Sequence, residues 1–243
     1  MSTQSNKSAA DLPALPAYAS GALYFLDSGD FLFKYRMEAG SRDEAPPEGS
    51  KFVTVRDVQA AFGGMEVDTG WVQPGVLRCG FCAQGDWFVY GVPARKVEIA
   101  VQMEGGRDRK LELAIPATLM FGLGAQYFLW AVRAGGVTEH SPLFNAPFPN
   151  VHDSGLICWG QNTPPRAHHT RAQEAWELFF ASGFNKDLAN NKSQKFKDDV
   201  RRMLARVARK KLEHYPEEDL IPSGRQRSIR SVLHEAGIGR SGQ

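Results

Sequence analysis

The first twenty residues, MSTQSNKSAADLPALPAYAS, mix small, polar and proline positions with no apolar period. Such a stretch buries too little apolar surface to offset its ordering entropy, so residues 1–20 are expected to form a disordered tail. From Gly21 the texture changes. Ala22–Leu26 and Phe31–Met37 are aromatic and branched runs separated by Asp27-Ser28-Gly29-Asp30, the pattern of a β-hairpin. Gly40–Ser50, rich in Pro, Glu and Gly, reads as a loop. Val55, Val58 and Phe62 fall at helical spacing, which predicts a short helix over Thr54–Phe62 before Gly63-Gly64. Strand signals follow one another: Val76–Ala83, Trp87–Val92, Val97–Met103, Lys110–Ile115 and Tyr127–Arg133 are short, rich in β-formers and bounded by Gly, Pro or charged turns.

After Gly136 five prolines (Pro142, Pro147, Pro149, Pro164 and Pro165) mark an extended, irregular segment. Thr170 followed by Gln173 has the form of a capping box, and Ala172, Ala175, Trp176, Phe179 and Phe180 share one helical face, so a helix is expected to lay its aromatic side on the sheet. Lys192–Lys211 predicts a further helix with Val200, Met203, Leu204 and Val207 on one stripe, and Leu220–Gly237 a last short one. The expected architecture is α+β: an antiparallel β-meander of four or more strands, an irregular loop, then helices. The expected organisation is a tail over 1–20, a main domain over 21–190 and a basic helical extension over 191–243.

Composition narrows the classes. A length of 243 residues, 42% of them hydrophobic, suffices for one sizeable core. Basic and acidic side chains number 29 and 27, a net charge of +2, so whole-chain electrostatics give no argument for nucleic acid or an acidic membrane surface. The basic surplus is local: residues 192–211 hold nine basic and two acidic side chains. That stretch reads as a solvated helix face, a docking face for an acidic partner such as a ubiquitin-like protein, or a DNA contact. No apolar run reaches eighteen residues and the start lacks a secretory pattern, so no membrane span and a cytoplasmic location are expected. Three cysteines are too few for a disulfide framework.

Cys79 and Cys82 form a CxxC, which is half a zinc site or a redox pair by spacing. No second CxxC exists, only the adjacent His168-His169, and residues three apart on a strand point to opposite faces, so neither a metal nor a cofactor is expected. The chemistry concentrates in Phe148–Gly160, FPNVHDSGLICWG. Pro149 and Asn150 are followed by an Asp153-Ser154-Gly155 turn, then Ile157 and Cys158, with Trp159 and Gly160 behind. By itself Cys158 is either a small buried hydrophobe or a nucleophile, and Asn150 either a loop residue bonding its own backbone or a donor to a reaction centre. His152 lies near enough in sequence to be weighed as a base; Trp159 reads as a packing residue and Gly160 as a turn.

This segment resembles the active-site signature of ubiquitin-conjugating enzymes, in which a His-Pro-Asn tripeptide precedes an apolar residue, a glycine turn and an isoleucine-cysteine pair. Pro149, Asn150, Gly155, Ile157 and Cys158 match, while Phe148 replaces the histidine. A closer resemblance is to prokaryotic family D of that superfamily, the PRTRC system protein B family. It rests on Tyr127–Val132, Pro142–Val151, Cys158-Trp159-Gly160, and Phe179-Phe180-Ala181-Ser182 with Phe184. The resemblance spans about Ala22 to Phe184 and implies a ubiquitin-conjugating-like fold. It also implies that Cys158 carries a ubiquitin-like protein as a thioester and that the Asn150 amide stabilises the oxyanion, a donor whose loss typically costs about 3 kcal/mol of barrier. The implied partners are a ubiquitin-like protein, a ThiF-like activating enzyme and a metal-dependent deubiquitinase-like peptidase, often encoded on plasmids beside a ParB-related protein. A catalytically silent scaffold of the same fold is the alternative.

Overall fold

In the computed structural model, which describes residues 12–16, 19–26, 30–37, 48–54, 56–58, 71–82, 84–103, 105–224 and 227–238, the chain divides into two compact units, Met1–Thr69 and Gly70–Gln243. In the first unit the expected hairpin is formed by β1 (Gly21–Phe25) and β2 (Phe31–Arg36), which pair antiparallel; its turn at 27–29 lies outside the described residues. The loop expected over Gly40–Ser50 is corrected at its end, because β3 (Glu48–Val53) adds to β2 and includes Glu48, Gly49 and Ser50. Gly49 suits a strand here because the Tyr35 ring crosses it, 2.8 Å from where a Cβ would sit. Part of the expected tail is also held. Leu15 is 5% exposed, its N–H donates to Glu48 Oε1 at 2.9 Å, and Arg36 Nη2 donates to its carbonyl at 2.7 Å. The rest of the tail, 1–11 and 17–18, lies outside the described residues. Of the helix expected over Thr54–Phe62, residues 56–58 are helical, with Thr54 and Asp57 exchanging hydrogen bonds across the first turn; residues 55 and 59–62 are not described.

The second unit contains β4 (Val76–Cys82), β5 (Gly85–Val92), β6 (Arg95–Gln102), β7 (Asp108–Ile115), β8 (Ala117–Leu123), β9 (Gln126–Val132) and β10 (Phe144–Asn145). All pairings are antiparallel, but the strands do not form one consecutive meander. A five-stranded sheet has the order β10-β9-β8-β5-β4, while β6 and β7 make a separate ribbon. Pro93 and Pro116 bracket that ribbon. Lacking an N–H, each interrupts the ladder where the chain leaves or rejoins the sheet. The strand β8 was not foreseen. Its ATLMFGL is buried at five consecutive positions, Thr118 to Gly122, because helices or loops cover both faces of the sheet, so it shows no alternation to read.

Side-chain alternation divides the core in two. Phe88, Tyr90, Met120, Tyr127, Leu129 and Ala131 share one cluster with helices α1 (Ala172–Ala181) and α2 (Arg201–Arg209). Trp87, Val89, Leu119, Phe121, Trp130 and Val132 share the other with helix α3 (Ile229–Glu235). The expected face of α1 is the buried one, and its Trp176 Nε1 donates to Thr118 Oγ1 of β8 at 3.1 Å. The expected capping box is not formed. Thr170 sits one residue too early, in a tight turn where its hydroxyl meets His168 Nδ1 at 2.7 Å, and Gln173 bonds Glu177 instead. The helix expected from Lys192 begins only at Arg201, although Val200, Met203, Leu204 and Val207 form the predicted buried stripe. These residues join the same cluster as the sheet.

Arg201 anchors α2. Its guanidinium forms a fork with the Asp199 carboxylate, with contacts of 2.7 to 3.1 Å, and also donates to the Gln102 carbonyl at the end of β6. Burial opposes the Asp199 carboxylate, but the Arg201 hydrogen bonds and charge outweigh it and hold its pKa below the ordinary aspartate value. Removing one partner leaves the other charge buried without compensation, which typically costs about 3 to 5 kcal/mol. Arg201→Ala is therefore expected to lower the urea-unfolding free energy by about 3 kcal/mol or more, whereas Arg202→Ala, on an exposed pair with Asp198, is expected to change it by under about 1 kcal/mol.

Candidate active site

The cysteine segment is built outward from an aromatic anchor. Phe148 is fully buried, with its ring centroid 5.0 Å from Phe180, 6.1 Å from Phe184 and 6.2 Å from Phe179. Pro149 is buried behind it. Asn150 then turns the chain, with φ of +62°, a left-handed conformation that asparagine tolerates better than most side chains. Its backbone N–H donates to the Asp187 carbonyl at 3.1 Å and its side-chain Nδ2 to the Gly183 carbonyl at 3.0 Å. Both acceptors lie just beyond α1, so Asn150 ties the cysteine segment to the loop that follows the helix.

Residues 150–158 form a tight hairpin. Val151 bridges Ile157, His152 N–H donates to the Leu156 carbonyl at 2.8 Å, and Cys158 N–H donates to the Asn150 carbonyl at 2.8 Å. The chain reverses over Asp153-Ser154-Gly155, where Gly155 N–H donates to the His152 carbonyl. Pairing thus puts Asn150 and Cys158 side by side across the ribbon. The hairpin is in turn docked along β9: Leu129 N–H donates to the Gly155 carbonyl and Ile157 N–H to the Tyr127 carbonyl, each at 2.8 Å. Gly155 adopts φ of +91° and lies on the indole of the fully buried Trp130, leaving no room for a Cβ.

Cys158 itself is exposed. Trp159 behind it is half-buried, in edge contact with Tyr127 at 5.5 Å and Phe179 at 6.3 Å, and Gly160 opens the next turn at φ of +58°. Tyr127 also donates its hydroxyl to the Pro165 carbonyl at 2.7 Å, and burial pushes its pKa to about 12. The Tyr127 side chain therefore braces the segment that follows the cysteine, at Trp159 and at Pro165. His152 is exposed, and among the described residues no hydrogen bond or ion pair links it to Cys158; it lines a hollow of about 430 Å³ with Asp153, Ser154 and Lys192.

Lys192 is the residue that sequence reasoning missed here. Counted among the solvated basic positions, its side chain is only 1% exposed, and its Nζ lies 3.5 Å from Asp153 Oδ1 on the hairpin turn. Burial pushes the Lys192 ammonium below the ordinary lysine range, and Asp153 opposes that shift. Neither Lys192 nor the carbonyls of Gly183 and Asp187 had a signal in the residue pattern, because their roles come from where the chain passes after α1. The CxxC is split as its strand position requires: Cys79 packs toward the cluster of α1 and α2, Cys82 toward that of α3. Among the described residues no group of three or more His, Cys, Asp or Glu side chains is placed to hold a metal ion.

Cys158 is thus an exposed cysteine on a hairpin docked to an antiparallel sheet. The family model of prokaryotic E2 family D matches residues 53–223, well over half of the chain and inclusive of the whole hairpin. The chain belongs to prokaryotic E2 family D, a bacterial, ubiquitin-conjugating-like family, as the residues around Cys158 led us to expect. No curated protein and no solved structure matches the sequence. Among the described residues no helix is long and apolar enough to cross a membrane.

Two measurements probe the architecture of the hairpin. Gly155→Ala combines a left-handed backbone with overlap on Trp130, so it is expected to cost about 3 kcal/mol and to remove hydrogen-exchange protection from the Leu129 and Ile157 amides before the rest of the sheet. Lys192 has its pKa lowered on folding, so at pH values between the folded and unfolded pKa the unfolded chain binds more protons and stability rises with pH. The unfolding free energy of the wild type, relative to Lys192→Met, is therefore expected to increase as pH is raised from neutrality towards 10; a flat difference would show that the ammonium is not desolvated by folding.

Proposed function

We propose that Cys158 accepts the C-terminus of a ubiquitin-like protein as a thioester and passes it to an amine. The observation that carries this reading is the pairing of the exposed Cys158 with Asn150, whose carbonyl accepts the Cys158 N–H at 2.8 Å on a hairpin docked to the sheet. Family membership supplies the context of ubiquitin-like pathway partners. The succession of antiparallel sheet, proline-rich segment, cysteine hairpin and helix supports a ubiquitin-conjugating-like fold with 148–160 as its active-site loop. The implied donor is a ThiF-like activating enzyme, a metal-dependent deubiquitinase-like peptidase would reverse the product, and the setting is a bacterial cytoplasm, with plasmid maintenance as one purpose.

In the first step the Cys158 thiolate attacks the activated C-terminal carbonyl of the modifier and expels the donor's thiol, exchanging one thioester for another. A free cysteine is a few per cent ionised at neutral pH, and attack on an already activated carbonyl requires no dedicated base. In the second step an amine attacks the Cys158 thioester, the negative charge collects on the carbonyl oxygen, and collapse forms the amide and breaks the carbon–sulfur bond; the proton the amine gives up passes through solvent to the departing Cys158 sulfur, which leaves as the thiol. An asparagine amide carries two N–H donors. In Asn150 one is used at the Gly183 carbonyl, which fixes the group, and the other serves the developing oxyanion. Trp159, Pro149, Gly155 and Gly160 shape the loop, His152 and Asp153 line its turn, and none of them takes a proton in this scheme.

A second reading, a silent scaffold that binds a ubiquitin-like or ThiF-like partner, draws on the same hydrogen bond, since an amide held by Gly183 also serves purely to lock a loop. Incubation with a ubiquitin-like protein, its activating enzyme, ATP and magnesium separates the two on a non-reducing gel with intact mass measurement. The expected adduct is thiol-sensitive, absent in Cys158→Ala and retained in Cys79→Ala. Asn150→Ala is expected to charge normally but to discharge onto lysine about a hundredfold more slowly, the effect of one lost oxyanion donor. If the activating enzyme charges itself and no adduct forms on Cys158, the thioester reading fails and the scaffold stands.

A further inference from the structure

A hollow of about 930 Å³ lies away from the cysteine segment, between the β6–β7 ribbon and helix α2. One wall is β7, the other α2 and the residues after it, and an ion pair of 3.0 Å between Lys96 on β6 and Glu213 after α2 joins the two walls. Its charge is one-sided. Arg109 on the ribbon wall and Arg206, Arg209 and Lys211 on the helix wall have no ion pair among the described residues, and Glu112 is the only lining carboxylate without one. Leu111, Phe196 and Leu212 line the same groove half-buried, so apolar surface lies between the cations.

We infer that this groove is a docking site for an acidic segment of a partner protein that also carries apolar side chains. Guanidinium groups on two facing walls suit carboxylates, which they bind through paired N–H donors. The half-buried leucines and phenylalanine offer contact area that a carboxylate chain alone would leave unused, and apolar side chains alternating with acidic ones would cover it. Nucleic acid fits less well. Its phosphates would meet Glu112 and gain nothing from the leucines, whereas phosphate recognition favours a continuous basic face. The inference goes beyond thioester transfer and does not rest on it, because none of these residues belongs to the Cys158 hairpin.

The test uses the full chain and fluorescence anisotropy with three labelled probes at one salt concentration: a short peptide alternating glutamate with leucine and phenylalanine, a polyglutamate peptide of equal charge, and a short DNA duplex. The mixed peptide is expected to bind most tightly. The R206E/R209E double variant and, independently, Arg109→Glu on the opposite wall are each expected to weaken it about tenfold or more, with unchanged circular dichroism; because the two variants alter different elements, a folding defect in one leaves the other decisive. Binding is expected to be the same in Cys158→Ala, which keeps this result distinct from the fate of the thioester reading. Absence of peptide binding overturns the inference. So does polyglutamate binding as tightly as the mixed peptide, or duplex DNA binding more tightly than it and displacing it from the groove.

Discussion

Strand β9 carries both faces of the core and must also satisfy the polar groups of both its edges. Tyr127, Leu129 and Ala131 enter the cluster of α1 and α2, and Phe128, Trp130 and Val132 contact that of α3, so the strand is buried on both faces from Leu129 to Val132. One edge is paired throughout with β8. The other is shared: β10 takes Trp130 and Ala131, and the hairpin of Cys158 takes Tyr127 and Leu129. Buried backbone groups left unpaired cost free energy comparable to a lost hydrogen bond. The cysteine hairpin therefore completes the sheet as well as displaying a thiol, and the position of Cys158 follows from the register of β9.

That double duty explains the residue choices around the cysteine. Gly155 is required because the turn must pass over Trp130 to reach the β9 edge, and Asn150 because the chain must turn through a left-handed conformation before pairing with Cys158. Phe148 occupies the position where the ubiquitin-conjugating signature has histidine. A histidine there would support the loop through hydrogen bonds; Phe148 does so through burial among Phe179, Phe180 and Phe184, with Asn150 adding the polar tie to Gly183 and Asp187. Two of these aromatics, Phe179 and Phe180, lie on the buried face of α1, so anchoring the loop and docking the helix are one packing event.

Much of this was legible in the residue pattern. The β1–β2 hairpin and strands β4 to β7 and β9 follow from runs of β-formers bounded by turn residues, and the buried face of α1 and the stripe on α2 from helical periodicity. What escaped was long-range. The central strand β8 carries no alternation, since burial on both faces erases the polar half of the period. Its absence from the reading made the sheet look like a plain meander, whereas β8 pairs with β5 across the ribbon that Pro93 and Pro116 set apart. Gly49 and Ser50 looked like loop because the Tyr35 ring that compensates Gly49 lies on another strand. The Phe148–Gly160 segment stood out because its resemblance to the family signature lies in local spacing. Its supports were not, since Lys192 and the Gly183 and Asp187 carbonyls come from outside that window.

The basic side chains show why a count of charge says little about surface. Of the nine cations in residues 192–211, Lys192 is buried under the hairpin turn and Arg201 is spent on Asp199 and the end of β6. Arg202 pairs with Asp198. The basic stretch is thereby divided into paired cations and a separate set at Arg206, Arg209 and Lys211 facing Arg109 across a groove with an apolar lining. Desolvating a cation is tolerated only where a carboxylate or carbonyls compensate it, so the buried ones are fixed by the fold. The half-buried Arg206 and the exposed Arg209, Lys211 and Arg109 have no such pairing among the described residues, and their concentration on two facing walls, in a chain of net charge +2, is the charge pattern on which the proposed acidic partner rests.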